Sequence, residues 1–220
     1  MFEQGFLTEE QSLSIGKIPL EELKEWARKG YAVSEESYLD HPMIYYPTRK
    51  AREFLRERGI KVYVEWLRRP PAKNEVHDRR LTDLRILFEQ LGYPEWQSER
   101  CLHQRGMKKV RPDAIVSTGR AKIAIELEIS MKGRLKYAER FRFYEEHPAI
   151  DAVFYVVATP KQRQRILELA AGYPKIYVVL LRNLTKYGGR SFVERPGFDG
   201  AVCLGKVIEE IRKKRFRQFF

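Results

Sequence analysis

Two periods alternate along the chain, and the points where one gives way to the other mark the elements. IPLEELKEWARKGY carries Leu20, Leu23, Trp26 and Ala27 at helical spacing ahead of Gly30, which predicts a helix over 19–29. Upstream, LTEEQSLSI offers Thr8 as an N-cap with acids in the first turn. YAVSEES and HPMIYYPT read as two short strands around a polar connection, and RKAREFLRERG as a further helix ending in glycine. LRRPPAKNEV, 67–76, breaks both periods at its Pro-Pro pair and is expected to be a linker.

A second unit follows. HDRRLTDLRILFEQLGY is amphipathic through Leu81, Leu84, Ile86, Leu87 and Leu91 and stops at Gly92. Strands are then expected near 96–103, at 110–116 and at 121–129, the last two joined by a tight turn at Thr118-Gly119. A helix over 132–146, strand 151–157, helix 160–171 and strand 175–181 complete an order αβββαβ, then αβ. Hairpin strands that finish in helical crossovers imply a mixed sheet flanked by helices, in an α+β or α/β class. The expected organisation is a unit over 1–68, a linker over 69–76, a sheet domain over 77–185 and a basic extension over 186–220, ending in the helix VIEEIRKKRFRQFF.

Helices, two strands around a wing tip at 34–42, then another helix is the order of a winged helix-turn-helix, with 19–29 approaching the major groove. Glu21, Glu22 and Glu25 on that helix are awkward against phosphate; the alternative is a packing or dimerisation module. Charge favours nucleic acid over an anionic membrane: 42 Lys and Arg stand against 30 acids, a formal net charge of +12. The nucleic-acid contacts expected from this are Lys24, Arg28, Lys132, Lys136, Arg140, Lys213 and Lys214. Cys101 and Cys203 stand far apart outside any Cys/His cluster, which argues against a zinc knuckle or disulfide framework. With no 18-residue apolar run and a polar, acidic N-terminus, the expectation is a reducing cytoplasm with no membrane segment.

Against this charge, RPDAIVSTGRAKIAIELEIS sets Asp113, Glu126 and Glu128 within apolar β runs. Buried carboxylates must be paired, solvated or bound to a metal. A turn that sets Ser117 opposite Arg120 sets Asp113 opposite Ala124, so the alternation of a strand turns all three acids to one face and Ile123, Ile125, Leu127 and Ile129 to the other. Asp113 and Glu126 become diagonal neighbours, roughly 7–8 Å apart. Oxygen ligands select hard ions, so Mg²⁺ or Mn²⁺ is the expected cofactor, and such an ion beside a basic groove suits phosphodiester hydrolysis. Lys132, Lys136 and Arg140 recur every four residues, followed by Tyr144, as a cationic stripe facing phosphate; the bland reading is a solvated face on a helix that buries Leu135, Ala138 and Phe141.

RPDAIV…AIELEIS in αβββαβ order resembles the core of the PD-(D/E)xK nuclease superfamily. Pro112-Asp113 matches the first half of its signature and Glu126 the acidic position of the second, with Glu128 where lysine is expected. HDRRLTDLRILFEQLG…RPDAIV…IELEIS…LKYAERFRFY, after a winged helix, resembles more narrowly the replication-relaxation family of plasmids and conjugative elements. That resemblance implies a winged helix joined to a nuclease-like domain, acting with DNA and with replication or transfer proteins of mobile elements. Glu128 is then a third ligand or a water-activating base, with Lys132 or Lys136 supplying the missing cation; or the site has lost its chemistry and the domain is a platform. Catalytic roles are thus expected of Asp113, Glu126, Glu128, Lys132 and Lys136. The competing classes are a metal-dependent endonuclease, a non-catalytic DNA-binding regulator or accessory factor, and a homodimerising module. His77, Glu89 and Glu99 are expected to be a capping or packing histidine and two surface charges.

Overall fold

A computed structural model describes residues 5–38, 43–60, 62, 71–104, 107, 110–119 and 121–217, the side chains of 73 and 214–217 excepted. The chain divides into two units, 1–86 with 100–106 and 87–99 with 107–220. It is mixed α and β, with one three-stranded and one seven-stranded sheet. Among the described residues no helix is long and apolar enough to cross a membrane.

In the N-terminal unit, β1 (Leu7–Thr8) leads into α1 (Glu9–Gly16) and α2 (Leu20–Arg28), followed by β2 (Ala32–Glu36), β3 (Met43–Pro47) and α3 (Arg49–Glu57). Thr8 caps α1 as its position predicts: its hydroxyl accepts the Gln11 N–H and the Gln11 side chain accepts that of Thr8. The sheet runs β1-β3-β2, all antiparallel. Phe6, Leu7, Leu23, Ile44 and Tyr45 are buried within the unit. Part of the expected wing tip, residues 39–42, lies outside the described residues.

The expected linker is corrected over 72–76, because helix α4 spans Ala72–Gln90. Proline is tolerated ahead of a first helical turn, and the Pro71 carbonyl accepts the Asn74 N–H, so this proline opens a helix where a connector was expected. Glu75 in that turn is fully buried and accepts the Ser37 hydroxyl and the Tyr38 N–H. Gln11 donates to the Arg79 carbonyl and the Asp83 carboxylate at 3.0 and 2.7 Å, which fastens α1 to α4. α4 up to residue 86 therefore belongs to the first unit, and the expected boundary at 77 moves into the helix.

β4 (Glu95–Ser98) of the second unit ends where α5 (Glu99–Gln104) begins, and α5 from residue 100 onward belongs to the first unit, so the strand expected over 96–103 is half helix. The rest of the sheet lies in the second unit. β5 (Ala114–Thr118) and β6 (Ala121–Glu128) form the hairpin, α6 (Arg134–Glu146) crosses to β7 (Ala152–Val157), and α7 (Pro160–Leu169) crosses to β8 (Ile176–Leu180). α8 (Leu181–Tyr187), β9 (Phe192–Glu194), β10 (Ala201–Cys203) and α9 (Leu204–Arg217) follow. The sheet order is β10-β9-β8-β7-β6-β5-β4, with β6, β7 and β8 parallel and the other pairs antiparallel. Much of the expected extension over 186–220 is thus sheet edge and packed helix, with Leu204, Val207, Ile208 and Ile211 buried and α9 against β6.

All six residues of β7 are buried, as a central parallel strand covered on both faces requires. On one face Ala124, Val153, Tyr155, Val157 and Val178 form a core with Tyr137, Phe141 and Tyr144 of α6 and Ile166 of α7. Leu135, expected in that core, is 86% exposed. The buried stripe of α6 is aromatic, at 137, 141 and 144, which rotates Leu135 outward. Lys175 holds the far end of α6: its ammonium donates to the carbonyls of Tyr144, Glu145 and His147 at 3.1, 2.9 and 3.1 Å, three groups that a helix end leaves without partners.

Phe141 is fully buried and meets the ring of Tyr155 edge-on at 5.4 Å. Replacing it with alanine is expected to cost about 3–5 kcal/mol, measured by denaturant unfolding of the full chain; a loss under about 1 kcal/mol would mean that this core is not the one that holds the domain.

Candidate functional site

The hairpin decides where the acids point. Its register pairs Thr118 with Ala121 and Ala114 with Ile125, two residues further on than the expected pairing, and the turn falls after Thr118 at Gly119, whose φ is +75°. A shift of two keeps the parity. One more step of the same register sets Asp113 opposite Glu126, making the two acids direct neighbours in place of the expected diagonal ones. Asp113, Glu126 and Glu128 share the face packed by α6, and Glu126 pairs in register with Tyr155 of β7.

Glu126 and Glu128 are almost completely buried, at 1% and 2% exposure. Each carboxylate is met by the protein's own donors. Arg140, from the middle of α6, donates to both Glu126 oxygens at 2.5 Å, and the Tyr144 hydroxyl donates to the same carboxylate. Lys132, just ahead of α6, reaches Glu128 at 2.9 Å, while its backbone N–H donates to the Tyr137 hydroxyl at 3.0 Å. Asp113 accepts the Leu127 N–H at 2.7 Å, a backbone group left over where β5 ends. Tyr155 contributes a buried hydroxyl with no protein partner among the described residues.

Burial first, and then the charges around it, set the protonation of Glu126. Burial and the neighbouring Asp113 push Glu126 up to about 8, against the opposing pull of Arg140, the Tyr144 hydroxyl and Lys132. Burial works to lower the Arg140 guanidinium, but the surrounding acidic groups, Glu126 foremost, outweigh it and hold its pKa above the ordinary value. Burial drives the phenols of Tyr144 and Tyr155 far above their ordinary range, so both stay protonated.

The expected site residues divide into those brought together and those that are not. Asp113, Glu126, Glu128, Lys132 and Arg140 converge, but Arg140 is turned inward to Glu126 instead of outward to phosphate. Lys132 precedes α6, so no single helical stripe joins it to Lys136, which is exposed. Lys24 is exposed beside Glu21 at 3.0 Å, Arg28 is exposed, Lys213 lies 3.8 Å from Glu209, and the side chain of Lys214 is outside the described residues. Glu99 pairs with Arg111 at 3.1 Å. Tyr155 is the member not foreseen; Tyr144, expected beyond Arg140 on the outward stripe, is carried inward with it, one turn further on.

As arranged, the acids do not fit as a ligand set for Mg²⁺ or Mn²⁺. The oxygens of Glu126 and one oxygen of Glu128 already accept charge-assisted bonds, and among the described residues no group of three His, Cys, Asp or Glu is placed to hold a metal ion. Beside the cluster, an open depression of about 700 Å³ is lined by the cations Lys132, Lys161 and Arg165 together with Glu168. No protein-family model, curated protein or solved structure matches the chain.

Removing Arg140 leaves the Glu126 carboxylate buried without its cation. Arg140→Met is expected to cost about 2–4 kcal/mol near pH 8, the range for a broken buried pair reduced for the partial exposure of Arg140, and less near pH 5, where Glu126 takes up a proton; an equal cost at both pH values would show that Glu126 does not titrate there.

Glu126 binds its proton more tightly folded than unfolded, so its contribution to stability falls as pH rises from about 4.5 to about 8 and levels off above. Glu126→Gln is expected to abolish that decline, so the stability gap between wild type and variant narrows across this window in urea titrations. Parallel curves would refute the raised pKa.

Proposed function

We propose that the chain is a nucleic-acid-docking protein of a DNA replication or transfer system, in which the carboxylate cluster braces the fold and does not hydrolyse phosphodiesters. The observation that carries this reading is the engagement of Glu126: both of its oxygens are taken by Arg140, with the Tyr144 hydroxyl on the same carboxylate. A hydrolytic role would need that carboxylate released, at the cost of an unpaired buried guanidinium.

The architecture is consistent with the resemblance noted above. β1, α1, α2, β2 and β3, with sheet order β1-β3-β2, suit a winged helix. The succession α4, β4, β5, β6, α6, β7 suits a PD-(D/E)xK-like core, interrupted by α5. Fold likeness alone assigns no chemistry. The net charge of +12 favours a polyanion as partner, although in the depression Lys132 and Arg165 are paired with Glu128 and Glu168.

A nuclease is the second reading. It is favoured by the placement of Asp113 opposite Glu126 on one face with Lys132 nearby.

One pair of assays separates the two. The full chain is expected to bind duplex DNA with an affinity that falls steeply as salt rises, because phosphate contacts release counterions. Incubated with supercoiled plasmid and Mn²⁺, it is expected to nick no faster than Glu126→Gln. Metal-dependent nicking that the variant lacks would restore the enzyme, and salt-insensitive or absent binding would remove the nucleic-acid role.

A further inference from the structure

α2 and α3 of the N-terminal unit differ in charge balance: with its cap, α2 is neutral and α3 is strongly positive. α2 and its C-terminal cap display Glu21, Glu22 and Glu25 against Lys24, Arg28 and Lys29. Most of that charge cancels in place: Lys24 lies 3.0 Å from Glu21 and Lys29 2.5 Å from Glu25. The contact with Lys29 holds the Glu25 carboxyl below its ordinary pKa. α3 and its cap carry Arg49, Lys50, Arg52, Arg56 and Arg58 against only Glu53 and Glu57.

The cations of α3 are also restrained differently. The Lys50 ammonium donates to the Lys29 carbonyl at 2.7 Å and stands 5.0 Å from the centre of the Tyr31 ring. The Arg58 guanidinium lies 3.5 Å over the Phe54 ring and donates to the Phe54 carbonyl at 3.2 Å. Rings and carbonyls fix a cation without cancelling its charge. Arg56 has no ion-pair partner among the described residues, and Arg49, paired with Glu53, remains 80% exposed.

We propose that α3, and not α2, is the surface of the N-terminal unit that meets a polyanion, and that the polyanion is the phosphate backbone of duplex DNA. This rests on the nucleic-acid reading above and gives it a location. A helix that lies in a lipid interface needs an apolar face to bury, whereas the fully exposed positions of α3 are all charged and Phe54 is covered by Arg58. Arg49 and Arg56 stand two turns apart, roughly 10 Å along the axis, so each can meet a separate phosphate.

The test is fluorescence anisotropy of a labelled duplex titrated with the full chain over a range of salt concentrations. Two double variants are compared with wild type: Arg49→Gln with Arg56→Gln on α3, and Glu21→Gln with Glu22→Gln on α2. The α3 pair is expected to reduce the slope of log affinity against log salt by roughly 2, one phosphate contact per arginine, and to weaken low-salt binding at least about tenfold. The α2 pair is expected to change affinity by less than about twofold, and both variants should melt at the wild-type temperature.

Binding tightened several-fold by the α2 pair, or a slope unchanged by the α3 pair, would overturn the placement while leaving DNA binding intact. A wild-type chain that binds no duplex removes the reading beneath it and the placement together. If the α3 pair abolishes binding to phosphatidylserine vesicles but leaves duplex binding unchanged, α3 is a membrane contact and the proposal fails.

Discussion

The contact that organises the C-terminal unit is the ion pair between Glu126 and Arg140. It joins β6 to the middle of the helix that crosses over it, with Glu126 almost fully buried and Arg140 26% exposed at its side chain. Once the pair exists, the neighbouring choices follow from it. Tyr144 sits one turn beyond Arg140 and adds its hydroxyl to the same carboxylate. The aromatic stripe of Tyr137 and Phe141 closes around the pair, and Lys132 performs for Glu128 what Arg140 performs for Glu126.

That pairing answers why a strongly basic chain sets three acids in its sheet. Glu126 anchors α6, and Glu128 the segment just ahead of it, to a strand whose other face, Ile123, Ile125 and Leu127, is wholly apolar. Asp113 serves the backbone, taking the Leu127 N–H where the hairpin ladder ends. The donors that meet Glu126 and Glu128 come from the protein's own side chains. They are Arg140 and Tyr144 of α6, and Lys132 just ahead of it.

Much of the second unit was legible from alternation and helical spacing. The common face of the acids follows from period alone, and a two-residue shift of the turn leaves its parity unchanged because side chains alternate with period two; the αβββαβ succession follows only in part, since α5 stands between β4 and β5. What periodicity does not carry is competition between faces. Leu135 reads as core by hydrophobicity, yet Tyr137, Phe141 and Tyr144 occupy that side of α6, since aromatic area and the Glu126 pair outweigh one leucine. The short strands β9 and β10 have too few residues to show alternation, and the Pro-Pro pair reads equally as a break or as the approach to a helix. Partners that meet across long sequence separations, such as Glu75 with Ser37, leave no local signature.

Lys175 gives the crossover helix a second fastening. Arg140 and Tyr144 tie the body of α6 to β6, while the ammonium of Lys175, at the approach to β8, gathers the carbonyls at its end. β6 and the residue just ahead of β8 thus both hold the C-terminal half of α6, and Tyr144 takes part in both fastenings.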